Sequence, residues 1–161
     1  MRATAGWTAL TRHLQRLGAT DEEILAAGLG RLASTGRVID QFRDRLVFPI
    51  KAANADGDPE IHGWIGRRNP THDGDDGHSP KAGPKSLNTA ETVAFHKRSA
   101  IYRPSVTELD PHATVIVCEG SIDALAIAAH AASARQSRYF APVSPSGTAL
   151  TDTQAALVLA I

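Results

Sequence analysis

The first 32 residues show the apolar spacing of two short helices. Apolar side chains recur every three or four positions in residues 7–18, which predicts an amphipathic helix that ends at a glycine; they are Trp7, Leu10, Leu14 and Leu17. The next stretch, TDEEILAAGLG, begins with Thr20 and has Glu23 three residues on, the capping-box pattern of a helix start. We therefore predict a helical lead-in over residues 1–32, with Trp7 packed in the core.

Strand-like segments and turn residues follow. The stretches RLVFPI and EIHGWIGR flank KAANADGDP, whose Asp-Gly and Pro are typical of a turn, so an antiparallel hairpin is predicted. Trp64 in the second strand is also predicted to pack in the core. The stretch RRNPTHDGDDGHSPKAGPK is dense in Gly, Pro and Asp and predicts a long loop. An ordered polar segment follows, with apolar anchors at Leu87, Phe95, Ile101 and Tyr102. Residues 33–111 are therefore assigned to one β-rich subdomain.

Residues 112–161 alternate between strand and helix. The apolar run in TVIVCEG predicts a buried strand, SIDALAIAAHAAS a helix, RYFAPVSP a second strand and TDTQAALVLAI a second helix. This βαβα order predicts a parallel sheet whose site lies at the carboxyl ends of its strands, where Glu119 falls. Two parallel strands do not make a complete layer, so we expect this domain to be truncated. The predicted class is α/β, a mixed α+β subdomain followed by the first βαβα half of a parallel-sheet fold.

Composition and charge narrow the function only slightly. The 17 basic residues balance 17 acidic ones, so any nucleic-acid partner requires a local basic surface. Cys118 is the only cysteine, which excludes an internal disulfide and a cysteine-rich zinc site. No apolar run approaches the roughly 20 residues that span a bilayer. We expect a cytoplasmic protein with no membrane partner.

Several motifs resemble one family when they are taken in order. VIVCEGSIDALA resembles the first motif of the Toprim domain, which is shared by DnaG-type bacterial primases, type IA and type II topoisomerases and several nucleases. FRDRLVFPI, GWIGR, KSLNTAETVAFHK and SGTALT resemble successive motifs of the primase catalytic core, and GATDEEILAAGL resembles the helix that leads into it. The resemblance runs from about residue 18 to the end. With the helical lead-in at 1–32, it implies the N-terminal subdomain of the primase core at 33–111 and a truncated Toprim domain at 112–161.

The sequence also departs from the family pattern. Nothing here forms the zinc ribbon with which bacterial primases begin, and the second Toprim motif, an Asp-x-Asp, would lie beyond residue 161. Arg98 stands where a Gly usually follows His-Lys, and Arg103-Pro104 replaces a Gly-Leu. These departures predict a divergent member, of the kind that a phage or plasmid carries, or a domain of a larger replication protein.

The resemblance implies a metal-dependent reaction. In Toprim enzymes the Glu of the first motif and the two Asp of the second bind magnesium, so Glu119 is expected to be a metal ligand or a general acid/base. Asp123, one turn into the next helix, is a second catalytic candidate, and a helix-start carboxylate without chemistry is an equal alternative. The implied cofactor is Mg²⁺ or Mn²⁺, with further ligands expected beyond residue 161.

Basic and polar residues form the second set of candidates. In the family, the matching positions hold template and nucleotide phosphates, a contact that is largely electrostatic. Arg43 and Arg45 are predicted to share one face of the strand leading into LVFPI, because side chains alternate along a strand. The complete set of implied phosphate-binding residues is Arg43, Arg45, Arg67, Lys85, Asn88 and Lys97.

The resemblance implies RNA primer synthesis on single-stranded DNA by the parent protein, with this chain alone inactive and binding nucleic acid weakly. The expected partners are single-stranded DNA, nucleoside triphosphates and a replicative helicase. Two alternatives stay open: a Toprim nuclease or topoisomerase-like domain, and a non-catalytic nucleic-acid-binding module of a larger mobilisation or helicase protein.

Overall fold

The computed structural model describes residues 6–53, 56, 58–69, 83–92, 95–105, 108–145, 147 and 149–161. The elements are α1 (Ala9–Arg16), α2 (Asp21–Ala26), β1 (Gly30–Leu32), β2 (Val38–Asp40), β3 (Arg45–Ala53), β4 (Pro59–Arg68), β5 (Ser86–Asn88), a 3-10 helix (Lys97–Ser99), β6 (Thr114–Val117), α3 (Ser121–Ser133), β7 (Phe140–Val143) and α4 (Asp152–Leu159). They form two compact units, residues 1–48 with 63–95 and residues 49–62 with 96–161. No helix in the described ranges is both long enough and apolar enough to span a bilayer.

Helix α1 of the first unit is held by a carboxylate from elsewhere in the chain. Asp40 accepts hydrogen bonds from the backbone N–H of Leu10 at 2.9 Å and from the N–H and hydroxyl of Thr11 at 2.8 and 2.7 Å. The buried residue of this helix is therefore Thr11, whereas Trp7, before its start, is 63% exposed. The prediction that Trp7 packs in the core is wrong, because α1 docks through its first turn rather than through its apolar stripe.

A short hairpin follows α2. Strands β1 and β2 pair antiparallel, so strand structure begins at Gly30, inside the region that the sequence assigned to helices. Each of these strands has only three residues, too few to show a periodicity of two. The capping box of α2 is confirmed: the Thr20 hydroxyl accepts from the N–H of Glu23 at 3.2 Å, and the Glu23 carboxylate accepts from the N–H of Thr20 at 2.7 Å.

The larger sheet has the order β3-β4-β5, and β5 runs antiparallel to β4. Strands β3 and β4 are neighbours joined by a short connection, which only an antiparallel pair permits. Phe95, 1% exposed, packs on β4 at Gly63, where a Cβ atom would lie 2.6 Å from its ring. Trp64 is half-buried. The long loop predicted after β4 falls mostly outside the described residues.

The second unit contains the predicted parallel pair. Strand β6 pairs with β7 in parallel, and α3 lies between them in the chain, which confirms the predicted β-α-β order. Val143 in β7 is fully buried, and the next residue, Ser144, forms an antiparallel bridge with the buried Tyr102. Of the predicted anchors, Phe95 and Tyr102 are buried, whereas Leu87 and Ile101 are half-buried.

Candidate functional site

Glu119 lies at the carboxyl edge of the parallel pair. The N–H of Cys118 donates to the carbonyl of Val143 at 2.8 Å, so the ladder ends one residue before Glu119. The Glu119 carbonyl accepts a hydrogen bond from the Ser144 hydroxyl at 3.1 Å, and its side chain is exposed. The backbone at Cys118 and Glu119 is therefore anchored to the end of β7, while the Glu119 side chain is exposed.

Asp123 is in the first turn of α3, close to the residue that precedes the helix. A Cβ atom at Gly120 would lie 2.9 Å from Oδ2 of Asp123. Gly120 has φ −116° and ψ 150°, which any residue adopts, so a side chain at this position would require only that the Asp123 carboxylate turn aside. The geometry fits both readings of Asp123, a charge at a helix start and a catalytic group.

The carboxylates of Glu119 and Asp123 are the right type of ligand for a hard cation, but two carboxylates are too few to retain it. Carboxylate oxygens are the ligands that Mg²⁺ prefers, but the ion is retained by several anionic groups together. Within the described ranges, no three His, Cys, Asp or Glu side chains are grouped so that they could hold a metal ion. Burial raises the pKa of the neighbouring Cys118 thiol, and the charge of Asp123 raises it further.

A buried glutamine connects Lys97 to the same edge of the sheet. Gln154, 2% exposed, donates from its Nε2 to the carbonyls of Lys97 at 3.1 Å, Ala100 at 2.8 Å and Pro145 at 3.1 Å. The hydroxyl of Thr151 donates to the carbonyl of Arg98 at 2.7 Å. Lys97 and the segment after β7 are thus held against the start of α4. Thr151 is the N-cap of α4 and forms a capping box with Gln154; sequence reasoning missed Gln154, although Thr-x-x-Gln is itself a capping-box pattern.

Arg67 and Asn88 lie on the paired strands β4 and β5 of the first unit, and Lys85 lies directly before β5. In the β4–β5 register Arg67 pairs with Ser86 and Ile65 with Asn88, so Arg67 and Asn88 lie on the same face. Exposed Lys85 directly precedes β5, and its carbonyl accepts from the N–H of Arg68 at 3.0 Å. These three predicted residues therefore belong to one strand pair.

Arg43 and Arg45 do not share a strand face, contrary to prediction. Asp44 between them has φ +49°, and β3 begins only at Arg45, so the alternation of an extended strand does not extend back to Arg43. Arg43 donates to the carbonyl of Asp40 at 2.6 Å and lies over the ring of Trp7.

Arg45 contacts backbone carbonyls around β4. Its guanidinium donates to the carbonyl of Pro84 at 2.7 Å and to that of Gly66 at 3.2 Å. Burial lowers the pKa of this guanidinium, and the charges of Arg68 and Arg43 lower it further. Arg68 donates to Gly83 at 3.2 Å, so two arginines hold the segment that carries Lys85.

A family profile described as the N-terminal domain of the DNA primase catalytic core matches residues 2–107. The DNA primase of Mycobacterium tuberculosis is 34% identical over 128 residues, which are 78% of this chain and 18% of the relative. The chain therefore spans about a fifth of the length of that curated relative.

Two solved structures resemble nearly the whole chain. The RNA polymerase domain of M. tuberculosis primase DnaG, crystallised with double-stranded DNA, has a TM-score of 0.71 and 32% identity; the match covers 97% of this chain and 44% of that one. A DnaG primase catalytic domain bound to single-stranded DNA has a TM-score of 0.66 and 28% identity, covering 98% of this chain and 45% of that one.

Proposed function

The chain belongs to the DNA primase catalytic core family, and from this premise we propose that it is part of an enzyme that synthesises RNA primers on single-stranded DNA. The observation that supports this most directly is the position of Glu119 at the carboxyl end of β6, where ligand sites of parallel sheets lie. We further propose that residues 112–161 are the first part of a Toprim domain.

Primer synthesis joins a 3′-hydroxyl to the α-phosphate of an incoming nucleoside triphosphate, and negative charge builds on the phosphate oxygens. A divalent cation, Mg²⁺ or Mn²⁺, would neutralise that charge when bound. Glu119 is the ligand that this chain offers, with Asp123 as a second carboxylate near it in sequence. Within the part of the chain that the structure describes, no three His, Cys, Asp or Glu side chains are grouped to complete such a site, so we expect this chain alone to make no primer.

We assign the phosphate contacts to Lys85, Arg67, Asn88 and Lys97. Phosphate binding is largely electrostatic and carries no base information, which suits exposed cations such as Lys85 and Lys97. Arg45 mainly positions Lys85, because its guanidinium donates a hydrogen bond to the carbonyl of Pro84, which directly precedes Lys85. A replicative helicase is the further partner that we expect for the parent protein.

Nucleic-acid binding by the chain is tested with a fluorescent single-stranded oligonucleotide over a salt series. Lys85→Ala should weaken binding to every sequence about equally and reduce the salt slope by about 0.7, the value for one phosphate contact on a single strand. Lys51→Ala, which removes an exposed charge from β3, is the matched control and should bind as the unsubstituted chain does. Loss of affinity for one sequence alone would contradict a phosphate contact.

Catalysis is tested in the parent protein with labelled ribonucleotides, single-stranded template and magnesium. Glu119→Gln, which keeps the shape and removes the charge, should abolish primer synthesis while single-stranded DNA binding persists. Primer made by the Glu119→Gln protein at the original rate would refute the assignment of Glu119 and favour a binding module that is not catalytic at this edge.

A further inference from the structure

Two segments of the second unit are joined at the carboxyl edge of the parallel pair. The N–H of Tyr102 donates to the carbonyl of Ser144 at 2.8 Å, and the N–H of Ser144 donates to the carbonyl of Tyr102 at 2.9 Å. The Ser144 hydroxyl in turn donates to the carbonyl of Glu119 at 3.1 Å. Ser144 therefore connects the end of the segment that begins at Lys97 to the residue that carries the candidate metal-binding carboxylate.

The buried side chain of Gln154 binds both of these segments. Its amide donates to the carbonyls of Lys97 and Ala100 on one segment. It also donates to the carbonyl of Pro145, which directly follows Ser144 on the other. One side chain thus fixes the backbone of Lys97 relative to the strand end that anchors Glu119.

The side chain of Lys97 lies on this same edge. A Cβ atom at Gly147 would lie 3.8 Å from Cε of Lys97, an ordinary van der Waals distance, so the end of the lysine stem runs beside the loop after β7. The lysine is exposed, and a lysine has a long flexible stem. A fixed backbone therefore limits the region that its ammonium can occupy.

We propose that Gln154 is the positioning residue of Lys97, whose ammonium it holds in place before a nucleotide phosphate binds. A lysine that is not held must lose its side-chain freedom on binding, and this cost lowers the affinity. Because Gln154 is 2% exposed, it acts through Lys97 rather than by contact with the substrate. The inference rests on the proposed function, which assigns a phosphate contact to Lys97, and adds the residue that pre-organises this contact.

The test measures primer synthesis by the parent protein over a range of nucleoside triphosphate concentrations. Lys97→Ala should raise KM about 10- to 150-fold, the range of one charge-assisted hydrogen bond. Gln154→Met keeps the lysine but frees it, so KM should rise about 2- to 12-fold, the cost of immobilising one long side chain. In the Lys97→Ala protein, the added Gln154→Met should raise KM no further. The Kd of a fluorescent nucleoside triphosphate, measured by anisotropy, should rise in the same order.

The value of KM separates positioning from a loss of stability. A variant that is only partly folded contains fewer active molecules, which lowers the apparent kcat and leaves KM unchanged. Ala131→Gly, at a buried position in α3, is the destabilising control and should leave KM unchanged. Gln154→Glu removes the donors but keeps the acceptor of the capping box. It should raise KM as Gln154→Met does, and it tests the same point if Gln154→Met fails to fold.

Two results would overturn the positioning role and leave the proposed function standing. One is an unchanged KM in both Gln154 variants while Lys97→Ala raises KM. The other is a rise in KM on adding Gln154→Met to Lys97→Ala that equals the rise caused by Gln154→Met alone, because Gln154 would then act without Lys97. An unchanged KM in Lys97→Ala would overturn the phosphate contact of Lys97 and this inference with it. No primer synthesis by the unsubstituted parent protein would overturn the proposed function as well.

Discussion

Replacing Gln154 should show most directly which hydrogen bonds fix the Lys97 segment, residues 97–100, against the start of α4. In Gln154→Met a side chain of similar length loses both its donor and its acceptor, in a site where the native residue is 2% exposed. The two amide hydrogens serve three carbonyls at 2.8 to 3.1 Å, and Oε1 accepts from the N–H of Thr151 at 3.1 Å.

The magnitude follows from these bonds. Two donated hydrogen bonds contribute about 0.5–1.5 kcal/mol each, and leaving buried carbonyls without a donor costs about 1–3 kcal/mol. The free energy of unfolding should therefore fall by about 2–6 kcal/mol. Urea denaturation followed by circular dichroism measures this fall. In hydrogen exchange, Gln154→Met should accelerate the exchange of residues 97–100 more than the exchange of α3.

Two further variants make the reasoning refutable. Gln154→Glu keeps the acceptor of the capping box but removes the donors at neutral pH, so it should also be destabilising. Gln136→Met, at an exposed position after α3, should stay within about 0.5 kcal/mol. A Gln154→Glu chain as stable as the unsubstituted one would show that the three donated bonds contribute nothing, and the account of the Lys97 segment would fail.

Three other outcomes are expected. Hydrogen bonds from Thr20 lower the pKa of Glu23, so the capping box of α2 stabilises the folded chain fully above the usual glutamate pKa, and this stabilisation is lost as the pH falls through the lowered pKa. Glu23→Gln should therefore flatten the acid side of the plot of unfolding free energy against pH. Parallel plots for the variant and the unsubstituted chain would contradict this. Asp123→Asn should speed the reaction of Cys118 with a disulfide reagent at fixed pH, because the Asp123 charge raises the thiol pKa; unchanged rates would place the carboxylate elsewhere. Gly63→Ala, whose Cβ would lie 2.6 Å from a ring, should lower stability by about 1–3 kcal/mol, whereas Gly147→Ala has its nearest contact at 3.8 Å and should be tolerated; equal effects would rule out crowding.

The sequence by itself determined the elements whose signals are local and strong. The apolar run before Glu119, the small-residue helix after it and the second apolar run predicted a parallel pair, and β6 and β7 form one. The Thr20–Glu23 box predicted the start of α2 to the residue. Each of these elements is encoded by residues that are adjacent in the sequence, so a local sequence pattern is enough to predict it.

Only the tertiary structure decided what distant partners do to individual side chains. Asp40 binds the first turn of α1, about 30 positions earlier in the chain, and so leaves Trp7 exposed where apolar spacing predicted burial. Likewise the positive φ of Asp44 separates Arg43 from Arg45, and Gln154 acts on a carbonyl 57 positions away. Hydrogen bonds of this kind depend on where the backbone comes together in space, and no periodicity along the chain records that position.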